Sequence, residues 1–234
     1  MMSSTEQAVA PIQVPAAYGV VVEHIRRAIH LGVYSAGDRL PPERAHAKQL
    51  GVSRVTLREA LRVLEGEGYL EMRRGATGGA TVIARGETKA RLRQRLDELV
   101  GIQEFRIANE SLAARRAAER ATAADLGELE RTIDVIRDEP TQHDFRRADS
   151  DFHLKIAAIA DHELLREAIE DARAAMFGQI DVVDFEVITQ TAVRGHQRIV
   201  DALREGDASK AGQAMTAHVK SATKEILAVL GEDK

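Results

Sequence analysis

The sequence has 234 residues, 44% of them hydrophobic and 3% aromatic, with a net charge of −4; it can bury a core in one large or two modest domains, which excludes a wholly disordered chain. The absence of cysteine excludes disulfide frameworks and thiolate metal sites. No apolar run approaches the ~20 residues that span a bilayer, and residues 1–15 lack the basic start and apolar stretch of a signal peptide, so they read as a disordered tail on a cytoplasmic protein with no membrane partner.

Abundant Ala, Leu, Arg and Glu with few aromatics lean towards helix. Residues 16–32 form the first expected helix: Val20, Val21, Ile25, Ala28 and Ile29 recur near helical spacing, and Gly32 follows as a C-cap. Gly37-Asp38 and Pro41-Pro42 mark a loop. Pro42 can open a short second helix over 43–50, which Gly51 stops. A third helix starts after Ser53, a good N-cap, with Val52 and Leu57 placed as a hydrophobic staple. Its apolar stripe is Leu57, Ala60, Leu61 and Leu64, and it ends near Gly66 or Gly68. Two extended runs, 69–73 and 80–83, flank a glycine-rich tip at 75–79 and make a hairpin.

Three helices and a hairpin in this short span outline a winged helix-turn-helix over residues 16–84. Residues 85–90 read as a linker, and 91–231 as an all-helical domain. Helices are expected near 88–100, 101–120, 123–138, 142–159, 162–180, 186–205 and 208–230, with breaks at Gly101, Thr122, Pro140, Asp161, the 181–185 region and Gly206-Asp207. The fold class is therefore mainly α: an N-terminal winged helix-turn-helix and a C-terminal all-α bundle. Charge follows this division. Residues 1–85 carry 11 Lys and Arg against 8 Asp and Glu, a net of +3, and the rest carry 22 against 29, a net of −7. A basic end on an acidic body suits a polyanion partner for the first part alone.

The third helix spaces Arg54, Arg58 and Arg62 at intervals of four, opposite its leucines, with Ser53 and Thr56 at its start. Hydroxyls and N–H groups at a helix N-terminus bind phosphate, and arginine grips guanine edges bidentately. Arg44 on the preceding helix and Arg73 and Arg74 on the hairpin flank it. On one helix a solvated arginine face would look the same; arginine on three adjoining elements favours a duplex. The glycines at 75–79 are no phosphate loop, because no helix and no Gly-Lys-Ser/Thr follows them.

The stretch LPPERAHAKQLGVSRVTLREALRVLEGEGYL, residues 40–70, resembles the signature of the GntR family of bacterial repressors. The resemblance implies that Arg44, Arg54, Thr56 and Arg58 contact operator DNA, with the wing at Arg74-Gly75 entering the minor groove; Ser53 joins them as a DNA-binding candidate by its place at the start of the third helix. His46 departs from the family pattern, standing where leucine is usual, which bears on the packing of the second helix.

In the second half, Asp149 and His153 are spaced i, i+4 and share a helix face, while Asp151 points elsewhere. His196 and His218 lie on later helices, each among apolar neighbours. Three imidazoles and a carboxylate can hold a divalent ion and leave positions open, but a lone inward histidine is more often a packed core residue. The pieces ADSDFHLKIAAIADHELL, GHQRIVDALREGD and AMTAHVKSA resemble the FCD ligand-binding domain of the FadR subfamily. That resemblance implies a metal, zinc or nickel, on Asp149, His153, His196 and His218, and an effector-binding arginine at Arg106. Arg106 and Glu110 could equally form a helix-surface pair. Gly195 stands where the family has glutamate, and Ala160-Asp161-His162 replaces a Gly-Asn-Pro turn.

The expected function is a ligand-responsive, DNA-binding transcriptional regulator, a repressor released by a small carboxylate effector. Reading a symmetric operator takes two copies, hence a homodimer. The alternatives are an acyl-CoA-responsive regulator, a purely metal-responsive one, or a metal-dependent hydrolase; the last lacks a general base near the site and leaves the DNA-reading module unexplained.

Overall fold

The computed structural model describes residues 17–73, 79–83, 93–94, 96–138, 140–176 and 185–231. The expected N-terminal tail, the wing tip with Arg74 and Gly75, the linker and residues 181–184 of the expected 181–185 break lie outside the described residues. The chain divides into two compact units, one of residues up to Arg26 with Ala36–Ile83, the other of Arg27–Ser35 with Ala84–Lys234.

The first unit contains most of α1 (Ala17–His30), then α2 (Glu43–Gln49), α3 (Arg54–Gly66), β1 (Leu70–Arg73) and β2 (Gly79–Val82). Ser53 caps α3, its Oγ accepting the Thr56 N–H at 3.0 Å. The expected stripe of Leu57, Ala60, Leu61 and Leu64 is fully buried, as are Val21, Val22 and Ile25 of α1. β1 and β2 pair antiparallel with Leu70 opposite Val82 and Arg73 opposite Gly79. A third edge joins them: Leu40 N–H donates to Ala80 O and Val82 N–H to Asp38 O, both at 2.9 Å. His46 is buried in α2, and burial pushes its imidazole below its usual range, so it packs there as a neutral ring.

The second unit is built of α4 (Leu96–Ala118), α5 (Ala123–Arg137), α6 (Gln142–Ile159), α7 (Glu163–Ala175), α8 (Phe185–Arg204) and α9 (Ala208–Leu230). The break expected at Gly101 does not occur; α4 runs through it. A helical glycine costs up to about 1 kcal/mol, and the packing of α4 along α9 outweighs that. α7 ends at Ala175, with Met176 as its C-cap, short of the expected 180. Capping boxes open α5 (Thr122 with Asp125) and α6 (Thr141 with Asp144). The departure at 160–162 makes its own connection: Asp161 takes a left-handed φ of 50° and His162 Nδ1 accepts the Leu165 N–H at 3.3 Å, capping α7. The core joins Ala113, Ala114 and Ala117 of α4 to Phe152 and Ile156 of α6, Ile199 and Val200 of α8, and Met215 and Val219 of α9. Alanines on α4 bring its backbone close to its neighbours, which draws side chains of four helices to one interior point. Among the described residues no helix is long and apolar enough to cross a membrane.

Candidate metal and effector site

Asp149 and His153, one turn apart on the inward face of α6, meet His196 of α8 and His218 of α9. One ligand atom from each lies within 4.8 Å of all the others, and all four residues are buried. His153 Nε2 is 3.2 Å from His218 Nε2; Asp149 Oδ1 is 3.3 Å from His196 Nε2 and 3.9 Å from His153 Nε2. Phe152 stacks on the His196 ring at 3.8 Å between centroids, fixing its plane.

Burial, then the Arg173 cation, pushes the His153 imidazole down to about 4. Burial and the two neighbouring imidazoles push His218 well below its usual range. Burial opposes ionisation of Asp149, but the Arg173 guanidinium and the His196 contact hold its carboxyl well below the usual carboxylate range. Neutral imidazoles with an ionised carboxylate are the protonation states that metal ligands require.

Behind the four stands a second layer from α4. His153 Nδ1 lies 2.5 Å from Glu110 Oε2. Glu110, held ionised by Arg106 and His153, can only accept, so a proton on His153 Nδ1 would face it and leave the Nε2 lone pair towards the cluster. Arg106 donates through Nε to Glu110 Oε1 at 2.6 Å and through Nη1 to Gln103 Oε1 at 3.1 Å. The helix-surface pair expected as one reading of Arg106 and Glu110 is therefore corrected: both are buried, because that side of α4 faces the core.

Arg173 of α7, unremarked in the sequence, is 6% exposed and donates through Nη2 to Asp149 Oδ2 at 2.5 Å. Among the described residues its Nε and Nη1 have no hydrogen-bond partner, nor does Nδ1 of His196 or of His218. Each buried polar atom left so costs about 1–3 kcal/mol. Lone pairs converging on one point and two N–H donors beside it fit a cation and an anion. The signal for Arg173 was its spacing: it falls with Ile169 and Met176 on the inward stripe of α7. The role of Gly195 was also missed: a Cβ there would lie 2.3 Å from His218 Nδ1, so this position carries no side chain that His218 could accommodate. Asp151 points away from the cluster, half its side chain or more exposed, as the i, i+2 spacing required.

In the first unit Arg44, Ser53, Arg54 and Arg58 are exposed and Thr56 is half-buried. Arg58 Nη2 pairs with Glu43 Oε2 at 2.7 Å, whereas Arg44 and Arg54 form no ion pair among the described residues. The Ser53 and Thr56 hydroxyls lie 2.8 Å apart at the start of α3.

Residues 17–82 match the family model for bacterial regulatory proteins of the gntR family, and residues 101–221 that for the FCD domain. The chain is 33% identical over 216 residues to the HTH-type transcriptional regulator YcbG of Bacillus subtilis, covering 91% of each chain. It is 35% identical to RmpR of Mycobacterium gastri over 154 residues, 63% of this chain and 56% of that one. Escherichia coli McbR/YncC has the same fold, with a TM-score of 0.57 at 20% identity over 94% of this chain and 99% of that chain. These families and relatives are transcription regulators, not enzymes. The chain belongs to the GntR family of bacterial transcription regulators, its second unit an FCD domain.

Proposed function

We propose that the chain is a cytoplasmic, homodimeric repressor of the FadR subfamily whose second unit holds a divalent metal, zinc or nickel, and senses a small carboxylate or hydroxycarboxylate. The observation that carries this reading is the buried convergence of Asp149, His153, His196 and His218 beside the two unpartnered N–H groups of Arg173. The metal supplies a local positive charge with coordination positions left for an effector oxygen. Glu110 orients His153, Arg106 and Gln103 hold Glu110, and Arg173 holds Asp149 while offering Nε and Nη1 to the effector carboxylate. Arg106 has its fork closed on Glu110, so its effect on the effector is through His153.

On the DNA side, Arg44, Ser53, Arg54, Thr56 and Arg58 face the major groove, and Arg74 and Gly75 enter the minor groove from the wing. Effector binding favours one arrangement of the two DNA-binding units over the other, since a ligand with equal affinity for both would shift nothing. The test is fluorescence anisotropy on the chain's own upstream DNA, with metal-loaded protein and a panel of small carboxylates. The expected result is operator release by one of them in the native protein and no release from Arg173→Lys, whose operator affinity without effector is unchanged. Release by chelation alone, with no carboxylate effective, would replace this reading with a metal-responsive regulator.

A further inference from the structure

Outside the buried cluster, a cleft of about 330 Å³ opens between the outer sides of α4 and α9, a size within the range of small-molecule sites. Arg93, ahead of α4, donates through Nε to Leu230 O at the end of α9, whereas Arg115 near the end of α4 lies on Gly212 near the start of α9, so the two helices run antiparallel. A Cβ at Gly212 would stand 2.7 Å from Arg115 Cγ and 3.0 Å from its Cδ, so the glycine is what lets the stem of Arg115 lie against α9 at this end of the cleft. Lys220 borders the cleft two turns further along α9, about 12 Å away by helix rise.

Arg115 and Lys220 are exposed, and among the described residues neither forms an ion pair, in a unit that carries more Asp and Glu than Lys and Arg. One turn beyond Lys220 stands Lys224, also exposed and without an ion pair among the described residues; like charges at i, i+4 repel, so α9 gains from an anion beside them. Between the two cations the cleft offers acceptors. Ser111 Oγ donates to Ala108 O at 3.3 Å and Thr216 Oγ1 to Gly212 O at 2.9 Å, so each hydroxyl has used its hydrogen and keeps lone pairs to accept with. Gln213 Nε2 donates to Ser209 Oγ at 3.2 Å, which leaves its Oε1 and a second N–H. We propose that this cleft is a second ligand site, for an elongated polyhydroxy compound with an acidic group, carboxylate or phosphate, at each end. Arg115 and Lys220 take the two ends, the guanidinium gripping its acid bidentately. Ser111, Gln213 and Thr216 accept from the hydroxyls between, whereas an aliphatic diacid would displace their waters without replacing the hydrogen bonds. None of Asp149, His153, Arg173, His196 and His218 borders the cleft. A ligand in it ties together, from outside, the two helices that carry Glu110 and His218 within.

This site is independent of the central one, so its failure leaves the effector reading above standing. The test is calorimetric titration of the full chain with three probes: phosphogluconate, with a phosphate and a carboxylate end; glucarate, with two carboxylates; and adipate, of glucarate's chain length but without hydroxyls. The native chain and Arg173→Lys, whose central site is impaired, are both expected to bind the polyhydroxy probes in the cleft, and the tighter of the two identifies the end group. Adipate is expected to bind at least tenfold more weakly. Arg115→Gln with Lys220→Gln, both exposed and so compatible with native helical circular dichroism, is expected to weaken cleft binding at least tenfold when added to Arg173→Lys. Absence of binding to Arg173→Lys at millimolar probe, or binding that the two cleft substitutions leave unchanged, overturns the site. Adipate binding as tightly as glucarate overturns the polyhydroxy assignment.

Discussion

Gly195→Ala probes the site through a single methyl group. The added Cβ would stand 2.3 Å from His218 Nδ1, 2.9 Å from its Cγ and 3.2 Å from its Cβ, where ordinary contact begins at 3.4 Å. The imidazole must therefore shift by about 1 Å, and because its own Cβ is crowded, rotating the ring does not suffice and α8 and α9 must part. Overpacking of this kind costs about 1–3 kcal/mol. Replacing glycine inside a helix returns about 0.5–1 kcal/mol, leaving a net destabilisation of about 1 kcal/mol. Gly127, on α5, has no atom within 4 Å of its would-be Cβ, so Gly127→Ala isolates the gain. For a chain of this size 1 kcal/mol moves the melting midpoint by about 2–4 °C, so the two variants should move in opposite directions. Metal ligand distances tolerate about 0.2 Å, so a shift of His218 by about five times that also removes it as a ligand. Thermal melts followed by circular dichroism, with elemental analysis of the purified protein, read both effects. If Gly195→Ala melts as high as Gly127→Ala and retains as much metal as the native chain, the packing argument is wrong.

Chelation should lower the melting midpoint, because metal at a hundred times its Kd stabilises by about 2.7 kcal/mol, or about 5–11 °C here; an unmoved midpoint removes the metal from the account. In metal-free protein, stability should rise with pH from about 4 to 6.5. In that window the unfolded chain binds a proton at His153 that the folded chain, its imidazole depressed, does not. Glu110 and Asp149, also depressed, add the same sign as pH falls through and below the ordinary carboxylate range. Urea midpoints measured across that range check this, and a flat profile contradicts it. Arg54→Ala should weaken specific operator binding by about 1–3 kcal/mol if it reads a base. Arg58→Ala should cost less, since native Arg58 must first give up Glu43. Anisotropy titrations against specific and random duplex separate the two, and equal losses would show that the ion pair does not restrain Arg58.

The winged helix-turn-helix was legible because its signals are local: Ser53 caps α3, leucines recur at helical spacing behind the arginines, and glycines mark the turn and the hairpin. The buried cluster of Asp149, His153, His196 and His218 was half legible. Asp149 and His153 share a turn of one helix, so their spacing places them together. His196 and His218 reach them from separate helices, and no spacing rule brings those together; resemblance to a family named them. The break at Gly101 failed because a glycine is a weak local signal against the packing of a 23-residue helix. Arg106 and Glu110 were ambiguous for a related reason. With apolar residues on both sides of α4, periodicity does not say which side is buried, and the i, i+4 spacing of a surface pair is the same as that of a buried one.

Arg106, Glu110, Asp149 and Arg173 bury two guanidiniums and two carboxylates. Ion pairs of this kind seldom repay their desolvation better than apolar residues of the same size would. The unit has a sufficient apolar core in Phe152, Ile156, Ile199, Met215 and their neighbours, so its stability does not ask for the charges. The four balance one another, and among the described residues Nδ1 of His196 and of His218 and two N–H groups of Arg173 still have no hydrogen-bond partner. A cation alone would leave the arginine donors bare, and an anion alone would leave the lone pairs facing one another. On the proposed reading the metal and the carboxylate are therefore taken together, and by linkage each should tighten the binding of the other. Chelated protein should bind the operator and ignore the carboxylate; metal-loaded protein should release the operator as carboxylate is added. Calorimetric titration of the carboxylate into both forms measures the coupling directly. Equal carboxylate affinity in the two forms would mean that Arg173 holds the anion without the metal, and that the cluster serves some other end.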